Sequence, residues 1–133
     1  RRIFLITGDG ELAEGSNWEA ALAAAHYGLD NLVIINDKNN LQLAGPTREI
    51  MNTDPLADKW KAFGMTVTEC QGNDMSSVVA AIEGLKQEGK PNVIIANTTK
   101  GAGISFIQGR PEWHHRVPKG EEIALALEEL KDE

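Results

Sequence analysis

Four short apolar runs punctuate the chain, at residues 3–7, 32–36, 65–69 and 93–96. Each is continuous rather than alternating, so each reads as a strand buried on both faces. Helical patterns lie between them. Ser16 and Glu19 form a capping box, opening a helix that passes through Trp18, Leu22, Ala25 and Leu29 and stops near Gly28. Asp54 as N-cap with Pro55 at the first helical position opens a second, with Leu56, Trp60 and Phe63 on one face and Gly64 as its stop. Asp74 caps a third, running through Val78, Val79, Ile82 and Leu85 to near Gly89, and a last helix covers about 121–131. Strand and helix in regular alternation, with apolar strands, predict an α/β fold: a parallel sheet with helices on both faces. The first helix, rich in alanine and apolar almost all round, is expected to be buried on more than one side.

Composition narrows the function classes. The 133 residues suit one domain over 1–133, and 41% hydrophobic with 25% charged content excludes wholesale disorder. A net charge of −7 argues against a nucleic-acid partner or an anionic membrane surface, which want clusters of Lys and Arg. No apolar run approaches the ~18–20 residues of a membrane span, and no signal peptide is recognisable. A single cysteine, Cys70, rules out an internal disulfide or a multi-cysteine zinc site and fits a reducing compartment, the cytoplasm. The sequence opens without Met, and its first strand starts at residue 3. It therefore reads as beginning partway through a domain.

In parallel sheets, ligands sit outside the carboxyl ends of the strands. Three loops there stand out, at 8–15, 36–46 and 97–116. Gly8-Asp9-Gly10-Glu11-Leu12-Ala13 matches the G-x-G-x-x-A dinucleotide fingerprint, and on that alone a nicotinamide site with Asp37 as ribose acceptor stays open. Asp9 speaks against it, because a carboxylate repels a diphosphate unless a divalent cation lies between them. The helix also begins too late for its N-terminus to receive the phosphate directly. A magnesium or calcium ion held by oxygen ligands removes the conflict. Asn39, 30 residues after Asp9 and beyond the neighbouring strand, supplies a second oxygen donor. Alone, Asp9 is also a good turn residue and Asn39-Asn40 plain loop polarity. Their joint spacing is what favours a metal.

This arrangement resembles the diphosphate-binding motif of thiamine-diphosphate enzymes. The longer run from Gly8 through Glu14-Gly15-Ser16-Asn17-Trp18-Glu19-Ala20 is similar to transketolase, in particular the kind built from two separate subunits. The likeness extends through Leu41-Gln42-Leu43-Ala44-Gly45-Pro46-Thr47, Pro55 to Gly64, Thr99-Lys100-Gly101-Ala102-Gly103 and Trp113-His114, covering about 3–127. Carried over by position, it implies thiamine diphosphate with Mg2+ or Ca2+. Asp9 and Asn39 would be side-chain metal ligands and the main-chain carbonyl of Leu41 a third. Gly8 and Gly10 would border the cofactor, Gly10 letting the backbone approach the diphosphate. Leu43 would lie against the thiamine rings, and Lys100 would border the diphosphate. His114 would approach the diphosphate and the donor's hydroxyls as a catalytic residue, and Glu14 would join an acidic network between two active sites.

The same resemblance implies transfer of a two-carbon ketol unit from a ketose phosphate to an aldose phosphate. It also implies a partner subunit carrying the pyrimidine-binding and C-terminal domains, in a dimer or hetero-tetramer, and a diphosphate-binding domain that lacks its N-terminal segment here. Related thiamine enzymes, 1-deoxyxylulose-5-phosphate synthase or a 2-oxo acid dehydrogenase component, share the metal motif, but Glu14-Gly15 and Trp113-His114 favour transketolase. A non-catalytic regulatory copy is a further alternative. The sequence departs from the family pattern at Lys38, Asn40, Ala44 and His115. Elsewhere the plain readings hold: Trp18 and Trp60 pack, His26 is structural or at an interface, and Glu121, Glu122, Glu128 and Glu129 form a solvated face.

Overall fold

The computed structural model describes residues 1–131. In chain order its elements are β1 (Ile3–Gly8), α1 (Gly15–His26), β2 (Leu32–Lys38), β3 (Leu41–Gln42), β4 (Gly45–Pro46), α2 (Thr47–Ile50), α3 (Leu56–Ala62), β5 (Thr66–Gln71), α4 (Met75–Glu83), β6 (Asn92–Asn97) and α5 (Glu121–Glu129). Four strands pair in parallel in the order β1-β2-β6-β5, and β3 with β4 makes a small antiparallel hairpin. Gly8 lies opposite Asp37, and Asp37 opposite Ala96. That register brings the carboxyl ends of β1, β2 and β6 level, so the loops leaving them meet at one edge.

The connections place the helices. The crossings from β1 to β2 and from β2 to β5 run the same way across the sheet, whereas β5 to β6 turns back. Right-handed crossovers then put α1 and α3 on one face and α4 on the other. The core divides accordingly. Ile34, Val93 and Ile95 pack with Leu12, Ala21, Ala24, Leu56 and Trp60 on one side; Val33, Ile94, Ala96 and Cys70 pack with Ala81 and Leu85 on the other. Each fully buried Leu or Ile side chain contributes about 1.5–3 kcal/mol. Trp18 bridges α1 and α3, its ring 4.9 Å from Trp60 and 5.2 Å from Phe63.

The expected fold class is present, with local differences. β1 was expected to be buried on both faces, yet Ile3, Phe4, Leu5 and Ile6 are 47–71% exposed. It is the edge strand, and none of its residues belongs to either core cluster, so neither of its faces is covered by the packed helices. Likewise α1 buries one stripe, Ala21 and Ala24, while Leu22 is 59% exposed, so burial on several sides is not seen within the described residues. The Ser16 capping box does not form. A 3-10 turn at Glu11–Ala13 leads straight into α1, whose N-cap is Glu14, and Asn17 Nδ2 donates to the Glu11 carbonyl at 2.8 Å. The helix ends two residues before Gly28, which adopts φ 60° while Leu29 N–H reaches back to the Ala24 carbonyl and Gly28 N–H to that of Ala25. That is the left-handed glycine stop the sequence predicts.

At α3 the cap lies one residue later than expected: Pro55 is the N-cap, and Asp54 Oδ1 accepts from Leu56 N–H at 3.4 Å. Asp74 does cap α4, accepting Ser76 N–H at 3.0 Å, but the helix stops at Glu83 instead of near Gly89, and Leu85 remains buried beyond its end. The acidic face of α5 is not merely solvated. Glu129 accepts the Ser105 N–H and hydroxyl, and Glu122 pairs with Arg116, whose guanidinium stands 4.2 Å from the Trp113 ring. These contacts tie α5 to the loop that follows β6.

Candidate functional site

At the level ends of β1, β2 and β6 lies a cleft of about 430 Å³, lined by Gly8, Asp9, Gly10, Asn39, Leu41, Leu43, Lys100 and His114 together with Glu11, Asp37 and Gln42. The sequence-derived site residues thus converge, save Glu14, which lies outside this lining at the N-cap of α1. Asp9 follows β1 directly, Asn39 follows β2, and Lys100 and His114 come from the long loop after β6.

Asp9 is 2% exposed. Its Oδ1 accepts the Gly10 N–H at 2.8 Å and its Oδ2 the Asn40 N–H at 2.6 Å. Burial nevertheless pushes its carboxyl above the usual carboxylate range, and the nearby Asp37 carboxylate adds to the rise; the two backbone bonds and Lys38 oppose it. Lys38 is itself engaged, 2.8 Å from the Asp54 carboxylate, which it holds below the usual range. The deepest anion of the cleft therefore has no cation bonded to it among the described residues.

Asn40 adopts φ 61°, the one left-handed non-glycine among the described residues. Asn tolerates this conformation better than other non-glycine residues. From this position the Asn40 N–H donates to Asp9 Oδ2. Next to it, Asn39 Nδ2 donates to Asp37 Oδ2 at 3.0 Å, and Asn39 Oδ1 accepts the Leu41 N–H at 2.9 Å. Gly10 sits close under β3: a Cβ added there would come within 2.8 Å of Gln42 Cγ.

On the far wall, Lys100 Nζ stands 3.3 Å from His114 Nδ1. Partial desolvation, then the positive charges of Lys100 and His115, hold His114 below its ordinary value. A neutral ring accepting at Nδ1 carries its proton on Nε2. Leu43 is 62% exposed and gives the mouth of the cleft an apolar edge.

The cleft is lined by the Asp9 carboxylate and the Asn39 amide with Leu41 beside them, and hard oxygen donors of this kind suit Mg2+ or Ca2+ rather than softer metals. No cluster of three His, Cys, Asp or Glu residues occurs among the described residues, so a thiolate or imidazole centre has no support. Asp37 proves occupied by Asn39 and by the Thr98 hydroxyl, which leaves it poorly suited to grip a ribose. Sequence reasoning missed Thr98 and Thr53, whose hydroxyl donates to the Asp9 carbonyl at 3.4 Å. Only their tertiary placement, not spacing, gives them away.

Residues 1–131 match the family described as transketolase, thiamine diphosphate binding domain. The chain is 72% identical over 133 residues to an apulose-4-phosphate transketolase subunit of Actinobacillus succinogenes, covering 100% of this chain and 48% of that protein. It is 42% identical over 132 residues to a 6-deoxy-6-sulfo-D-fructose transketolase subunit of a Clostridium species, covering 98% and 48%. Among solved structures, the transketolase of Campylobacter jejuni superposes with a TM-score of 0.89 at 31% identity, over 96% of this chain and 20% of that one. The chain spans about half the length of the curated relatives it matches.

Proposed function

The chain belongs to the transketolase family, as its thiamine diphosphate-binding domain, and on that premise we propose that the cleft at the ends of β1, β2 and β6 holds the cofactor's diphosphate through a divalent cation. Asp9, Asn39 and the Leu41 carbonyl are the ligands of this Mg2+ or Ca2+. One observation carries the reading: Asp9 is a carboxylate buried at 2% exposure with no cation bonded to it among the described residues, a costly arrangement that a dication relieves.

When bound, thiamine diphosphate supplies the carbanion stabilisation that ketol transfer requires. The residues of this chain bind and orient. Gly8 and Gly10 keep the first loop free of side-chain bulk, Lys100 adds positive charge beside the diphosphate, and Leu43 sets its apolar side chain against the thiamine rings. His114, its proton on Nε2, donates to the donor sugar's hydroxyl and to charge developing there. Glu14, away from the cleft lining, joins an acidic network towards a second site.

The reaction is transfer of a two-carbon ketol unit from a ketose phosphate to an aldose phosphate. The 72% identical relative is named for apulose 4-phosphate, which makes that the first donor to test. A partner subunit carrying the pyrimidine-binding and C-terminal domains completes the enzyme, as a dimer or hetero-tetramer; relatives of about twice this length that are themselves named as subunits support this. Additional chain of the same domain, preceding β1, covers its apolar side chains. A cytoplasmic location accords with the free thiol of Cys70. The test is a coupled assay of the complete subunit with its partner. Turnover is expected only with both subunits, thiamine diphosphate and a divalent cation; full activity in a strong chelator contradicts the proposal.

A further inference from the structure

Asp37 lies two residues before Asn39, at the end of β2, and its contacts join all three strand ends. Its main-chain carbonyl accepts the Asp9 N–H at 3.0 Å, which anchors the loop after β1. Its Oδ1 accepts the Thr98 hydroxyl from the loop after β6, and Thr98 N–H in turn donates to the Lys38 carbonyl at 3.1 Å. Its Oδ2 accepts Asn39 Nδ2 at 3.0 Å. We propose that Asp37, held by Thr98, is the positioning residue that fixes the Asn39 side-chain amide with its oxygen turned towards the cation.

An asparagine amide can sit in either of two orientations that differ by exchange of its O and NH2 groups, and its neighbours decide between them. An ionised carboxylate only accepts hydrogen bonds, so beside Asp37 the NH2 group is favoured and the oxygen takes the other branch. There Asn39 Oδ1 accepts the Leu41 N–H and keeps a second lone pair for a metal. The Leu41 N–H strengthens the same choice, since it would face the NH2 group after a flip. Thr98 supports the carboxylate in turn, because its hydroxyl occupies the other oxygen of Asp37 and keeps the group aligned.

The placement of Asp37 is otherwise unfavourable. Its carboxylate lies near enough to Asp9 for the two charges to repel, and Lys38, the cation next to it in the chain, is paired with Asp54. A neutral side-chain amide would avoid that repulsion, but it can present its own NH2 as readily as its oxygen and so would not enforce the orientation of Asn39. Supporting partners of this kind typically contribute a 10- to 100-fold effect on metal affinity, by order of magnitude.

The inference rests on Asn39 being a metal ligand, and the experiment separates the two. Mn2+ affinity is measured by electron paramagnetic resonance on the complete subunit with its partner, saturated with thiamine diphosphate, for wild type and for Asp37→Asn, Thr98→Val and Asn39→Ala. Asp37→Asn is expected to weaken Mn2+ binding about 10- to 100-fold, and Thr98→Val by a smaller factor in the same direction. Excess Mn2+ should restore cofactor affinity in both, and thermal melting of the metal-free variants sets a folding defect apart. If Asp37→Asn fails to fold, Thr98→Val alone decides. Wild-type Mn2+ affinity in the folded Asp37 and Thr98 variants, alongside a loss in Asn39→Ala, overturns the positioning role. Wild-type affinity in Asn39→Ala instead overturns the metal reading beneath it.

Discussion

Asn40 donates its backbone N–H to Asp9 Oδ2 at 2.6 Å while holding a left-handed conformation, φ 61°. The unusual backbone and the contact coincide at the turn after β2, where the amide meets a carboxylate 31 residues away in sequence. Asn40→Gly should therefore preserve stability. Asn40→Val, with a β-branched side chain at positive φ, should cost about 1–2 kcal/mol. Urea unfolding of the two variants checks this, and equal stability of the pair contradicts it.

Gly10→Ala should separate binding from folding. The added Cβ would approach Gln42 Cγ at 2.8 Å, and a flexible side chain can yield at the cost of the Gln42 hydrogen bond to the Met51 carbonyl. The expected loss of stability is about 1 kcal/mol. Thiamine diphosphate affinity should fall further, because the methyl group also intrudes on the first loop. Thermal melting and calorimetric titration of the same variant test the contrast.

Both glycine and asparagine positions illustrate what could be read in advance. Asp9 and Asn39 were recognisable from their 30-residue spacing, since the ends of neighbouring parallel strands are joined by one crossover of fixed style. Asn40 was visible only as a departure from the family pattern; its left-handed φ is one that asparagine tolerates better than other non-glycine residues. The four strands of the parallel sheet, the Gly28 stop and the Asp74 cap follow from local chemistry and were legible, whereas the β3–β4 hairpin lies in a segment read as loop. The exposure of β1 was not, because a continuous apolar run looks the same in a central strand and at an edge. Nor was the end of α4, where Gly84 takes the cap although the apolar pattern continues to Leu85. Thr98 and Asp37 meet across 61 residues, and no periodicity reports such a meeting.

His114 should titrate below an ordinary histidine, and Lys100→Met should raise its midpoint. The sign follows from the causes: desolvation and the neighbouring positive charges of Lys100 and His115 all disfavour the imidazolium. The ring therefore stays neutral to lower pH than in the unfolded chain. Any associated stability is present above the unfolded pKa and lost as pH falls through the folded one. Following the His114 ring protons by NMR checks the shift, and an unchanged midpoint in the variant denies Lys100 its role.

Trp60 joins α3 to the sheet and is 2% exposed, with its ring 4.9 Å from Trp18. Trp60→Ala should cost about 3–5 kcal/mol. Trp60→Phe should cost distinctly less, because the buried Nε1–H has no partner among the described residues and removing it breaks no bond. Denaturant unfolding of both variants tests the ranking.

Asp9 gives the most direct test. Its raised pKa means that the metal-free fold holds the proton more readily than the unfolded chain does, so its contribution to stability is present below the unfolded pKa and lost as pH rises through the folded one. A bound dication opposes that shift, because it favours the ionised carboxylate. Calorimetric titration of thiamine diphosphate into the complete subunit with its partner, with and without Mg2+, should show binding that requires the cation in wild type and is lost in Asp9→Ala. Wild-type affinity in Asp9→Ala, or equal affinity of the wild type without any divalent cation, would contradict the metal-anchored site.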